Sequence, residues 1–187
     1  HAAIASEQFK KLPDILEHRF KIGTALSSKL ACYDELFLPI EEVETTNAFY
    51  MYPMTLNISR MLISRNTFVQ AVTAELPKAN YWDTTPLAEG YVEPLYKNWV
   101  YQKRIALGTK GFPFNWNQNL TYDYSGNLCP ITQRKYDSEL VLTPLVREGI
   151  TEDDITDFAN AIDKVLTNQS DLIEFDLKNL DGSTEIY

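Results

Sequence analysis

The chain has 187 residues and a mass of 21.5 kDa, the size of about one domain. Its 44% hydrophobic and 23% charged residues exclude a disordered or fibrous chain. Twenty-six acids against seventeen bases give a net charge of -9, which argues against nucleic acid as the main partner, since phosphate contacts need a basic face.

The first thirty residues read as helix, with Ile4, Phe9, Leu12, Ile15, Leu16, Phe20, Leu26 and Leu30 recurring at spacings near three and four. Lys10, Lys11, Asp14, Glu17 and Lys21 fill the other face. Pro13 removes a backbone donor and clashes with the preceding turn, so a kink or restart is expected there, with Asp14 and Glu17 in the new first turn. A chain that opens in mid-helix, without an initiator Met, has the look of a piece of something longer. Residues 33–58 read as extended, with Phe37, Leu38 and Ile40 as one apolar run and the stretch from Phe49 to Ile58 rich in strand formers. Pro53 within it implies an edge position, a bulge or the strand's end. Ser64 is placed to cap a helix running to about Leu76, with Phe68, Val69, Val72 and Leu76 inward and Pro77 stopping it.

Residues 78–128 hold most of the Trp and Tyr, several Pro and Gly, and little periodicity, apart from a short helix expected around Pro94 to Gln102. Pro130 to Ser138 then reads as a helix with proline in its first turn, and Glu139 to Thr143 as a short strand. Thr151 and Asp154 make a capping box with Asp in place of Glu, opening a helix with Ile155, Phe158, Ile162 and Val165 inward. Residues 168–187 read as an acidic tail with one short element at Leu172 to Leu177. The sum is an α+β domain, helices packed on a small mixed or antiparallel sheet. No run reaches the ~18 to 20 apolar residues of a membrane span, and the N-terminus has no signal-peptide pattern.

The chemistry-bearing residues are sparse. There is no Gly-x-Ser-x-Gly elbow and no glycine-rich phosphate loop. His1 and His18 are the only histidines; His1 is terminal and His18, among charged residues, reads as solvated surface. Cys32 and Cys129 lack metal-ligand spacing and fit a reducing, cytoplasmic setting. The acidic run from Thr151 to Asp157 lacks the glycine of a calcium loop and is explained by helix capping. The aromatic stretch differs. Trp82, Tyr91, Tyr96, Trp99, Tyr101, Phe112, Phe114, Trp116, Tyr122 and Tyr124 either cover the sheet as a second core or line a ligand surface or subunit interface.

Three blocks, in order, carry a family resemblance. His1-Ala-Ala-Ile-Ala-Ser-Glu-Gln-Phe-Lys-Lys-Leu12 with Arg19 resembles the helix that opens the second half of the DegT/DnrJ/EryC1/StrS aminotransferases. Gly90-Tyr-Val-Glu-Pro-Leu-Tyr-Lys-Asn98 with Gly111-Phe-Pro-Phe114 is similar to the segment where a branch of that family has a Pro-Leu-Tyr motif. Leu128-Cys-Pro-Ile-Thr-Gln-Arg134, Leu142-Thr-Pro-Leu-Val-Arg147 and Thr151-Glu-Asp-Asp-Ile155 resemble its closing block of helix, strand and helix.

The resemblance, across roughly residues 1–167, implies the carboxy-terminal part of a fold-type-I enzyme dependent on pyridoxal phosphate. Such enzymes move an amino group from an amino acid to a keto-sugar nucleotide or cyclitol, in polysaccharide or antibiotic pathways. It implies a helix over residues 1–30 that completes a missing large domain, and a small domain over residues 31–167 that closes on the substrate. The active site is then shared across a homodimer. The Schiff-base lysine, the ring-stacking aromatic and the acid that pairs with the pyridine nitrogen lie upstream of His1, so this portion alone is expected neither to hold the cofactor nor to act. Trp82, Tyr91, Tyr96, Tyr101 and Trp116 take substrate-side or interface roles. Arg147 is a candidate for an anionic substrate group, with a plain surface role as the alternative. Where many members have a His-Tyr-Pro-like run, this chain has Asn80-Tyr-Trp-Asp83, which leaves sugar, cyclitol and other keto substrates open. A non-catalytic sugar- or protein-binding module built on residues 81–124 is the competing reading.

Overall fold

The computed structural model describes residues 1–40, 42–77, 85–117, 119–126 and 128–180. The opening segment is two helices, α1 (Ala2–Phe9) and α2 (Leu12–Leu30), with Pro13 in the first turn of α2 beside Asp14. The proline thus restarts the helix rather than kinking it, because its missing N–H falls where no intrahelical acceptor exists. α1 buries nothing, and Ile4 and Phe9 stay 67% and 72% exposed. Leu12, Leu16 and Phe20 continue this open apolar stripe, whereas Ile22, Leu26 and Leu30 in the second half of α2 are buried.

Four strands form one antiparallel sheet, β1 (Leu36–Phe37), β2 (Tyr52–Leu56), β3 (Ala88–Glu89) and β4 (Leu140–Thr143), in the order β1-β2-β4-β3. Of the stretch 33–58 expected to be extended, Leu36–Phe37 and Tyr52–Leu56 join the sheet. Pro53 sits in an internal strand, opposite Leu142 of β4. It is tolerated because β1 pairs only with Thr55 and Leu56, which leaves the other side of β2 open at Pro53.

Tyr52, Met54 and Leu56 alternate inward with Val141 and Thr143. Against this face pack α2, α3 (Arg65–Ala74) and α6 (Glu152–Thr167). Ser64 caps α3 by accepting from Thr67 N, and Phe68, Val69 and Val72 are buried. The Thr151–Asp154 capping box opens α6, and all four of its expected inward residues are buried. The helix expected at 130–138 divides into α5 (Pro130–Arg134) and a π-helical turn, Lys135–Glu139, that leads into β4.

Beyond α6, Gln169–Leu172 forms a 3-10 turn and α7 spans Ile173–Leu180. This last helix is inverted: its buried residue is Asp176, while Ile173, Phe175, Leu177 and Leu180 are exposed. The Asp176 carboxylate accepts from Ser64 N and Ser64 Oγ, so it meets the N-terminus of α3, where backbone donors and the helix dipole favour an anion. Gln169 accepts from Leu62 N at 2.7 Å, and Asn179 reaches Thr67. No helix among the described residues is long and apolar enough to cross a membrane.

Candidate functional site

Between β3 and α5 the chain leaves the sheet for a long excursion carrying a 3-10 turn, Leu95–Lys97, and α4 (Trp99–Lys103), which Asn98 caps by accepting from Val100 N. Its rings pack on each other and not in the main core. Tyr101 and Tyr124 lie 5.2 Å apart, Phe114 stands edge-on to Tyr122 at 5.5 Å, and Phe112 stands edge-on to Trp116 at 5.9 Å beside the cis Phe112–Pro113 peptide. Tyr96 donates to Gln133 on α5, and Lys97 lies over the Tyr136 ring, so the excursion is tied to the body at its base. Gln102 Nε2 donates to the carbonyls of Tyr96 and Tyr124, which joins Tyr96 and Tyr101 into one unit. Trp116, at the far end, is 81% exposed.

Tyr91 belongs to a different place. It borders a cavity of about 310 Å³ on the outer face of the sheet, lined by Met51, Val92, Leu142 and Pro144 and by residues of the 85–90 segment. The Tyr50 hydroxyl beside it pushes the Tyr91 phenol above its usual range. Tyr50 is held by a corner that the sequence does not announce. Phe49 is left-handed at φ 45°, 3% exposed, stacked on Tyr52 at 5.6 Å and pressed on Gly23 of α2. Arg19 Nη1 donates to Phe49 O at 2.7 Å, and Asn47 accepts from Phe49 N.

Arg147 lies in the turn between β4 and α6. Trp82, and the departure at Asn80 to Asp83, lie outside the described residues. Sequence reasoning also passed over Arg65, which is buried and donates to Tyr136 O and to Asn66 Oδ1. Burial lowers its guanidinium, while Glu89 and Asp137 act in the opposite sense. His18 is half-buried, not solvated. Its Nε2 is shielded without a hydrogen-bond partner among the described residues, and His18 lines a small cavity together with Glu148 of the 147–149 turn.

A cofactor aldehyde needs an amine that burial keeps uncharged. No lysine among the described residues is buried. Lys21 pairs with Glu152 at 2.8 Å, Lys164 with Glu75 at 2.6 Å and Lys178 with Glu174 at 2.8 Å. The Glu152 carboxylate holds the Lys21 ammonium above its ordinary range, away from the free amine. The described lysines therefore do not fit a Schiff-base site. Nor does any group of three or more His, Cys, Asp or Glu among the described residues suit a metal ion.

No protein-family model matches the sequence. Over 166 residues the chain is 22% identical to MJ1066 of Methanocaldococcus jannaschii, a protein of uncharacterized function, covering 89% of this chain and 36% of that protein. In structure it is similar to the aminotransferase TlmJ from Streptoalloteichus hindustanus, with a TM-score of 0.61 and 16% identity over 90% of this chain and 36% of TlmJ. The chain thus spans about a third of the length of both proteins, and its small antiparallel sheet with packed helices is similar in fold to part of TlmJ.

Proposed function

We propose that this chain is the carboxy-terminal, substrate-closing part of a pyridoxal-phosphate aminotransferase of the DegT/DnrJ/EryC1/StrS type. The observation that carries the reading is the superposition of nine-tenths of the chain on about a third of an aminotransferase. Bound in the whole enzyme, the cofactor supplies an electron sink and the carrier for the amino group moved from an amino acid to a ketone. On this reading the residues of this chain bind and orient the substrate and exclude water.

The excursion around Tyr96, Tyr101 and Trp116 offers flat amphipathic area for a substrate or a dimer partner. The open stripe of Ile4, Phe9, Leu12, Leu16 and Phe20 suits the lysine-bearing portion of the enzyme, because a contiguous exposed apolar face marks an interaction surface. Ketones of sugar nucleotides and cyclitols both fit this reading. The exposure of Trp116 favours a second one, a sugar- or protein-binding module without catalysis.

The test is a peptide map after incubation with pyridoxal phosphate and borohydride reduction. Scattered, substoichiometric labelling of the lysines is expected. One stoichiometric, saturable label on a single lysine overturns the proposal.

A further inference from the structure

We infer that residues 93–134 form one hinged unit, which swings on a pivot made of Gly90 and the π-helical turn Lys135–Glu139, with the buried Arg65 side chain holding that pivot. That the unit closes on a substrate rests on the function proposed above; that it turns as one piece does not.

The unit hangs from a single two-stranded stem. β3 and β4 are neighbours, with Glu89 opposite Val141, and just beyond β3 the Gly90 N–H donates to Leu140 O at 2.8 Å. The chain thus leaves the sheet and returns to it at one place. None of the described residues from 91 to 139 belongs to the hydrophobic core, and of them only Pro94 is buried. A segment with so few buried contacts opens at low cost compared with the core.

Within itself the unit is cross-linked. Tyr96 donates to Gln133 of α5, which ties the start of the excursion to its end. Gln102 Nε2 reaches Tyr96 O at 2.7 Å and Tyr124 O at 3.0 Å, which draws the middle onto the same point. The Phe114 ring lies 6.2 Å from both Tyr101 and Tyr124, and Ala106 N closes a turn on Phe112 O at 3.0 Å. A segment joined along its whole length in this way moves as a body and not as a string.

The pivot has the backbone of a hinge on both sides. Gly90 sits at φ 66°, where a Cβ is strained and meets Tyr136 O at 3.4 Å, so the outgoing and returning chains touch here. On the return side Leu140 N donates to Lys135 O, five residues back, a wider turn than an α-helix makes and one found mostly at functional sites. Hinges place large backbone changes in a few residues at element ends. The next carbonyl of the turn, of Tyr136, accepts from Arg65 Nη1, and Asn66 Oδ1 fixes Nε and Nη2 of the same guanidinium at 3.1 and 2.9 Å. Lys135 Nζ adds a bond to Thr55 on β2 at 3.2 Å. Both ties to the body fall on the turn itself, so they set the resting angle and leave the unit beyond it to swing. Losing the Tyr136 carbonyl leaves a buried guanidinium short of an acceptor, which favours the resting angle over the swung ones.

The experiment records residual dipolar couplings of backbone amides in the weakly aligned chain, and compares residues 93–134 with α2, α3 and α6. Each set is expected to fit one order tensor, with the tensor of 93–134 smaller than that of the helices by about a fifth, as for a swing of about 30°. Arg65→Met is expected to lower it further and to leave the tensor of the helices unchanged. A single tensor of equal size for both sets overturns the inference, because the unit is then fixed. Couplings of 93–134 that fit no single tensor overturn it too, because the segment is then not one piece. An Arg65→Met tensor equal to that of the wild type overturns the role of Arg65. The wild-type comparison decides the hinge even where the variant fails to fold. No outcome depends on the lysine labelling, so the hinge and the aminotransferase reading fail separately.

Discussion

Gly23→Ala tests whether α2 positions the Phe49–Tyr50 corner. In the middle of a helix the change alone stabilises by about 1 kcal/mol. Here a Cβ on residue 23 lies 2.6 Å from Phe49 Cδ2 and Cε2 and 2.9 Å from Cζ, against ordinary carbon contacts of about 3.5–4.0 Å. The ring must retreat by about 1 Å. It has little room, with Tyr52 stacked on its other side and Arg19 and Asn47 holding its backbone. Overpacking of this kind costs about 1–3 kcal/mol, and expelling the ring forfeits about 3–5 kcal/mol. Partial displacement, less the helical gain, leaves a net loss of about 2 kcal/mol. At about 2–4 °C per kcal/mol for a chain of this size, Tm falls by roughly 4–8 °C. Urea unfolding should show a lower midpoint at unchanged slope. In a Phe49→Leu background the same change should be neutral or stabilising. Because Tyr50 follows Phe49, the displaced corner should also let the Tyr91 phenol titrate closer to its ordinary range. A Gly23→Ala protein as stable as the wild type, with Tyr91 still raised, refutes the reasoning.

Three further expectations concern helix ends. Thr151→Ala should cost about 1 kcal/mol, because it removes the hydroxyl that accepts from Asp154 N. The Thr151 hydroxyl and backbone N–H hold the Asp154 carboxyl below the ordinary aspartate range. A depressed pKa contributes stability that is present above the unfolded value and lost as pH falls through the folded one. The advantage of wild type over Asp154→Asn in urea unfolding should therefore shrink in acid, from about pH 5 downward. Asp176→Ala leaves Ser64 N without its carboxylate, at a cost of about 1–3 kcal/mol. Amide exchange in α7 should then rise more than exchange in α6, whereas equal rises in both contradict an anchoring role for Asp176.

The legible parts of the sequence were those governed by local rules. The break at Pro13, expected as a kink or a restart, the Ser64 cap, the Thr151 capping box and the inward face of α6 each follow from spacings within about three helical turns, and each is present. The missed parts depend on contacts between distant segments. Nothing around Phe49 signals a left-handed residue, since the glycine that makes room for its ring is on α2. His18 reads as solvated by its neighbours in the chain, yet its Nε2 is shielded and its ring shares a cavity with the distant Glu148. Periodicity also fails on α7, where a polar requirement at the end of α3 decides which face is buried. Of the candidate site residues, the aromatic stretch was visible by composition. The pairing of Tyr91 with Tyr50 was not, because it depends on how the 85–92 segment folds back over the sheet.

The two halves of α2 answer to different surroundings, and this decides how the chain behaves by itself. Ile22, Leu26 and Leu30 melt with the core, because their burial is part of the same packed cluster as α3 and α6. α1 has eight residues and no buried side chain, and an isolated helix shorter than about 12–15 residues is marginal in water. Its order therefore depends on whatever covers Ile4, Phe9, Leu12, Leu16 and Phe20. A body that binds only the ordered helix stabilises it by mass action, and each 100 Å² of apolar surface that it covers contributes about 2.5 kcal/mol before ordering costs. On the proposed function that body is the lysine-bearing portion of the enzyme. On that reading, seating it orders α1, extends α2 as one continuous support, and fixes the Arg19 and Gly23 side of the Phe49 corner. On that reading the same helix links the seating of the lysine-bearing portion to the Phe49 corner that Arg19 and Gly23 hold.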